Sequence, residues 1–150
     1  MLFDQTITAG RTRISYSHFQ RPAADEYHLV ITPAPEGSVA DQYNQIDQAI
    51  SKFVGKINPE QVQVVFKRFF LSDIANQMEE ILAGADRKSG LSWSVIQQPP
   101  AQGNKVLAWV YLVNFRNRQA VIQASENGIR LDHNGYQRLF IANLTSSAGS

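Results

Sequence analysis

The side chains able to do chemistry are few and scattered. His18, His28 and His133 are the three imidazoles of the chain, and their separation matches neither HExxH nor HxH, so turn or surface roles suit them better than metal ligation. Glu79-Glu80 lies beside an apolar stripe of Ile74, Met78, Ile81 and Leu82, which reads as the solvated face of a helix, not as two carboxylates flanking a scissile bond. GxGxxG, GxxxxGK[ST] and GxSxG are all missing, which argues against a phosphate-cradling loop and against a nucleophile elbow. With no cysteine, disulfides, thiolate catalysis and cysteine metal sites drop out together. Neither metal nor cofactor is expected.

Two segments combine cations with aromatics. FKRFF, Phe66 to Phe70, interleaves them as a single-strand nucleic-acid platform does, and FRNR at Phe115 to Arg118 adds two more cations. The glycine-and-aromatic RNP pattern is missing, however, and the net charge is only +1. The favoured reading puts Phe66 and Phe69 or Phe70 in the core, with Lys67-Arg68 along an edge or crevice. Arg68 still stands out as a cation projected by a strand. SGLSWSVIQQPP, Ser89 to Pro100, alternates hydroxyl and apolar side chains into a double proline and carries Ser92 and Ser94 without an acid, base or cation of its own. Trp93 and Trp109 are large enough to wall a pocket, although packing is the commoner use of such rings on strands.

The elements that must position these residues follow from periodicity. Alternating runs on either side of Ala9-Gly10 make the first 20 residues a hairpin. Polar Arg21 to Glu26 reads as a loop, and YHLVIT, Tyr27 to Thr32, as a buried strand ended by Pro33 and Pro35. Ser38 can cap a helix with Val39, Tyr43, Ile46, Ile50, Phe53 and Val54 on one face, and Gly55 suits its end. Gln61 to Leu71, rich in valine and phenylalanine, predicts a central strand. Ser72 or Asp73 caps a second helix. SGLSWSVIQQ and KVLAWVYLV, Lys105 to Val113, are two further strands. The order β-β-β-α-β-α-β-β predicts an α+β layered domain with two helices on one face of a mixed sheet. Both Val106, Ala108, Val110 and Leu107, Trp109, Tyr111 are apolar, so the other face of that sheet also calls for cover, which another subunit would supply.

At 150 residues and 43% hydrophobic composition the chain suffices for one core of ordinary size. Fourteen basic residues against 13 acidic ones give no field for steering toward nucleic acid or anionic lipid. MLFDQTITAGR lacks the layout of a signal peptide, and no run approaches the roughly 18 apolar residues of a membrane span; a cytoplasmic location without membrane contact is expected. Beyond Asn114 strand-like runs recur at Ala120 to Ala124 and Arg138 to Ala142. NGYQRLFIANLTSSAGS repeats the shape of Ala24 to Gly37. Residues 1–113 are therefore expected to form one domain, and 114–150 a connecting segment and the truncated start of a second copy.

The order of elements, together with VADQYNQIDQAISKFV and its early Gln42, VVFKRFFLSDIAN, and SVIQQPP followed by KVLAWVYLV, resembles the YjgF family, also called the Rid (reactive intermediate deaminase) or endoribonuclease L-PSP family, over about residues 1–113. GYQRLFIANLTSSAGS is similar to that family's strand entering its ligand pocket, and tandem Rid-like domains are known there. The resemblance implies a chorismate-mutase-like fold, a homotrimer or a pseudo-trimer with a second copy, and small-molecule pockets at the clefts between neighbours.

In deaminating members an arginine opens the strand before the leucine-proline turn and clamps a substrate carboxylate while water hydrolyses an enamine or imine. Aligned through Pro99 or Pro100, that position falls on Gly90 or Leu91. The glutamate of the last strand falls near Trp109, a serine-glycine on Thr32-Pro33 and an asparagine near Ile81, while Tyr16 matches a tyrosine near the first hairpin. The resemblance thus implies a pocket wall of Tyr16, Thr32, Gly90, Leu91, Ser92, Trp93 and Trp109, with Arg68, Arg87 or Lys88 as candidate cations, the last two only if their loop folds inward. With arginine and glutamate unmatched, no catalytic residue is assigned. The expected function is a degenerate small-ligand-binding or assembly module of a tandem protein; the alternatives are an enamine/imine deaminase and an RNA-binding or endoribonuclease module using Lys67, Arg68, Arg116 and Arg118.

Overall fold

The computed structural model describes residues 2–22, 24–57, 62–84, 92–100, 103–115, 121–125, 128–133 and 136–141. Strands β1 (Leu2–Ala9), β2 (Thr12–Gln20) and β3 (Ala24–Thr32) lead into helix α1 (Val39–Ile57), then β4 (Val62–Leu71), α2 (Ile74–Gly84), β5 (Ser92–Gln97) and β6 (Val106–Phe115). This is the α+β order read from the sequence. Three short strands follow, β7 (Val121–Ser125), β8 (Gly128–His133) and β9 (Tyr136–Ile141), of which β8 had no counterpart in the sequence reading.

The first six strands build one mixed sheet in the order β1-β2-β3-β6-β4-β5, while β7-β8-β9 form a separate three-stranded antiparallel sheet. Strand β6 slots between β3 and β4, antiparallel to both, and β5 runs parallel to β4. The β1–β2 turn is the two residues Gly10 and Arg11, and Gly10 takes φ 65°, the positive angle that tight hairpins need at their first turn residue. Strand β3 begins earlier than Tyr27, pairing Asp25 with Gln20 and Glu26 with Phe19. Polarity suggested a loop there; Glu26 joins the strand because its buried carboxylate accepts the Tyr111 hydroxyl at 2.7 Å and Arg21 at 3.4 Å.

Helix α1 starts on a reciprocal cap. Ser38 Oγ accepts the Asp41 N–H at 3.1 Å and Asp41 Oδ2 accepts the Ser38 N–H at 3.0 Å; the backbone bond and the Ser38 side chain hold the Asp41 carboxyl below its usual range. Gly55 does not end the helix. Val54 and Ile57 pack against the core and carry it on to Ile57. Asp73, rather than Ser72, caps α2: its Oδ1 accepts the Asn76 N–H at 3.4 Å, and the Gln77 side chain reaches back to the Asp73 N–H at 3.0 Å.

One core lies between the helices and the first face of the sheet, joining Val39, Tyr43, Ile46, Ile50 and Phe53 of α1 and Ile81 of α2 to Ile14, Leu29, Ile31, Phe69 and Leu112 of the strands. A smaller cluster, Ala24, Val65, Tyr111, Val113 and Phe115 with Phe66, sits on the second face, away from the helices. Gln42 is fully buried beside the main core. Its Oε1 accepts the N–H groups of Lys105 at 3.0 Å and Val106 at 3.3 Å, and its Nε2 donates to the Pro35 carbonyl at 3.1 Å. One amide thereby ties the end of the β3 loop to the start of β6. No helix among the described residues is long and apolar enough to cross a membrane.

Candidate functional site

A break in β4 decides where its cations go. Strict alternation would put Val62, Val64, Phe66 and Arg68 on one face. Val62 and Val64 do pack on the helix-side core, but the register shifts between Val64 and Phe66, so beyond it Phe69 and Leu71 take the helix side. The extra residue of such a bulge re-aims everything after it. Lys67 accordingly meets Asp47 of α1 at 3.5 Å, and Arg68 emerges on the second face.

There Arg68 joins an aromatic strip that crosses four strands. Its guanidinium carbon lies 4.9 Å from the Phe66 ring and 5.4 Å from the Trp109 ring, and its Nε donates to Ser94 Oγ at 3.1 Å. Phe66 meets Trp109 edge-on at 5.5 Å. The Trp109 indole N–H donates to His28 Nδ1 at 3.3 Å, which leaves the His28 proton on Nε2. His28 in turn stacks on Tyr111, centroids 4.8 Å apart, and meets Phe19 edge-on at 5.7 Å. Burial holds the His28 pKa below its ordinary 6.5, with the Glu26 carboxylate opposing. Val30 and Ile96, 41% and 36% exposed, are apolar side chains open on the same sheet; Val30 lies opposite Trp109.

The expected wall residues divide between places. Trp109 and Arg68 meet on the second face. Thr32 ends β3, half-buried and opposite Arg13, one alternation beyond Val30. Ser92 and Trp93 lie in β5 opposite Phe66 and Lys67. Tyr16 does not join them: it shares the parity of Ile14, and its ring contacts Phe53 of α1 at 5.0 Å. Gly90, Leu91, Arg87 and Lys88 lie outside the described residues, as do Arg116 and Arg118.

Sequence reading missed two features. His18 stands 3.3 Å from Asp25 and stacks on Tyr27 at 4.3 Å; strand pairing across Arg21 to Ala24 brings them together, which a loop assignment concealed. Ser94 also appeared only as one of two hydroxyls, whereas the parallel register of β5 on β4 sets it opposite Arg68.

Among the described residues, two concavities lie on the helix side. One, about 680 Å³, lies between the Gly10–Arg11 turn and α1, where Arg11 and Glu36 neutralise each other at 2.7 Å and Gln45 Oε1 is held by Ala34 N–H at 2.9 Å and Thr12 Oγ at 3.2 Å. The other, about 510 Å³, borders the Lys67–Asp47 pair.

Among the described residues the second-face strip pairs one carboxylate with a phenol, Glu26 with Tyr111 at 2.7 Å, and one imidazole with an indole, His28 with Trp109 at 3.3 Å. An indole neither takes nor gives a proton near neutrality, and the one imidazole has Nδ1 engaged. As a base-stacking platform the strip is ill-suited. Phe66 and Trp109 are covered in part by Arg68, Tyr111 by His28, and Arg21 is drawn to Glu26, whereas single-strand binding needs free ring faces and a run of cations. What the strip offers is an apolar aromatic surface with one guanidinium set into it. No family model matches this chain, and a search of curated proteins finds no match.

Proposed function

We propose that this chain is a YjgF/Rid-like module with a chorismate-mutase-like fold, acting by assembly with like copies through the second face of its sheet and by holding a small ligand in the clefts so formed, not by hydrolysing imines. Homotrimer, or pseudo-trimer with a second copy in tandem, is the arrangement intended, in the cytoplasm. The observation that carries this reading is the second face itself: neither helix lies on it, yet β6 presents Leu107 and Trp109 there, half-buried, beside the exposed Val30 and Ile96. Apolar surface of this kind on a sheet is normally covered by another element or another chain.

Three further points support it. The strand order β1-β2-β3-β6-β4-β5 with both helices on one side is compatible with the chorismate-mutase-like expectation. The β7-β8-β9 meander has the same antiparallel sequence-neighbour pairing as β1-β2-β3, as a second copy would. The position implied for the water-handling glutamate falls near Trp109, whose indole N–H is bound to His28 and cannot serve as an acid or base.

Incubation with amino-acid-derived enamines, following ammonia release against buffer, tests the functional half. The expected result is no acceleration by the protein. Release well above the buffer rate, proportional to protein concentration, would restore the deaminase and refute the module reading.

A further inference from the structure

Spacing along the chain argues against metal ligation by the histidines, but strand pairing gives His18 new neighbours. His18 of β2 lies opposite Tyr27 of β3, and Asp25 of β3 lies opposite Asn114 of β6. Tyr27 and Leu112 belong to the helix-side core, and residues two apart along a strand share a face. His18, Asp25 and Asn114 therefore fall on that face in three successive strands. The imidazole stacks on the Tyr27 ring at 4.3 Å with 12° between the planes, and its Nε2 stands 3.3 Å from Asp25 Oδ2. That is longer than the roughly 2.7–2.9 Å of a charge-assisted hydrogen bond. It matches the separation, about 3.3 Å, of two ligand atoms on one edge of a zinc tetrahedron with bonds of about 2.0 Å. Across from Asp25, Asn114 Oδ1 is buried and accepts no hydrogen bond among the described residues. Native folds seldom leave a buried carbonyl oxygen without a donor, a water or an ion. The His18 and Asp25 side chains, 19% and 18% exposed, are largely desolvated yet reachable from solvent.

We propose that His18 Nε2, Asp25 Oδ2 and Asn114 Oδ1 form a site for one zinc-type divalent cation, with water as the fourth ligand. The donor set decides the class. Calcium and magnesium take oxygen ligands throughout, and copper(I) takes thiolates or thioethers, whereas one imidazole, one carboxylate and one amide oxygen suit zinc, or cobalt(II) in its place. Among the described residues no three His, Cys, Asp or Glu side chains gather around a common point; the third donor here is an amide. Stacking on Tyr27 presets the imidazole before the ion arrives, and the pairing of β2, β3 and β6 presets the other two positions. The site lies on the helix side of the sheet and does not depend on assembly through the second face.

Cobalt(II), whose visible spectrum reports its own geometry, is the probe. The untagged full chain, freed of metal with a chelator, should take up one cobalt(II) per chain with the intense bands of a tetrahedral site. Zinc should displace it and raise the thermal midpoint, as an ion bound by the folded state alone must. Changes in the outer shell cost about 10–100-fold in metal affinity, so loss of a ligand in His18→Gln or Asp25→Asn should weaken zinc about a hundredfold and Asn114→Ala about tenfold, read by calorimetry. The wild-type spectrum needs no variant and stands even where His18→Gln fails to fold. Absence of the bands, or the weak bands of octahedral cobalt(II), overturns the proposal and leaves His18 and Asp25 as an imidazole–carboxylate pair. Zinc bound as in wild type by a folded His18→Gln, or lost in His28→Gln instead, places the ion elsewhere and overturns it too. An Asn114→Ala variant with wild-type affinity overturns the three-ligand set.

Discussion

Gln42 and His28 each carry a polar bond on one of the two faces. Gln42→Leu keeps the volume of the side chain but strands the N–H groups of Lys105 and Val106 and the Pro35 carbonyl, and unmade bonds to buried groups cost about 2–4 kcal/mol together. The expected result is a lower urea midpoint with an unchanged slope. His28 makes stability depend on pH. Its folded pKa lies below the ordinary 6.5, chiefly through burial, so the unfolded chain takes up the proton first as pH falls. What the neutral imidazole contributes is therefore whole above pH 6.5 and is lost as pH falls through the folded pKa. Protonation would also set a second N–H against the Trp109 indole donor. Urea midpoints of wild type and His28→Gln should converge on acidification from pH 7 to about 5; curves that stay parallel would refute the assignment. At this scale the sequence was only partly legible. Gln42 was visible as the early glutamine of the first-helix segment, but its bonds were not, and the Trp109 partner of His28 comes from β6, 81 residues away, where no local pattern encodes it.

The elements were more legible than their joints. Alternation and helical spacing located β1 to β6 and both helices, because each buries a continuous face and must repeat at its own period. Bounds and breaks depended on tertiary partners instead: Val54 and Ile57 drew α1 past Gly55, and the Tyr111 hydroxyl drew Glu26 into β3. Most consequential is the shift between Val64 and Phe66. One additional residue there sends Arg68 to the second face and Lys67 to α1, while the sequence of β4 carries no glycine or proline to announce it. The cap of α1, by contrast, was written in Ser38. Replacing it by alanine removes the acceptor for the Asp41 N–H and should lower stability by about 1 kcal/mol, read as a reduced thermal midpoint; Ser38→Asp, which keeps an acceptor, should leave it nearly unchanged.

For the molecule as a whole, the composition of β6 foretold a sheet with two apolar faces, and the structure gives one of them to the helices. Val106, Ala108 and Val110 are fully buried there, while Leu107 and Trp109 on the other side are only half-covered. The insertion of β6 between β3 and β4 was not foreseeable strand by strand, since it joins segments distant in sequence. Nor was β8, whose run GIRLDH alternates too briefly to declare itself. The second face is the proposed assembly surface, and Val30 is its most exposed large apolar residue among those described. An aspartate at that position burdens an interface without disturbing either core. Light scattering of wild type and Val30→Asp is the direct measurement. The expected result is a wild-type particle of several chains and a Val30→Asp particle of one chain with unchanged far-UV circular dichroism; a single-chain wild type, or a folded Val30→Asp that assembles as before, would overturn the assembly proposal.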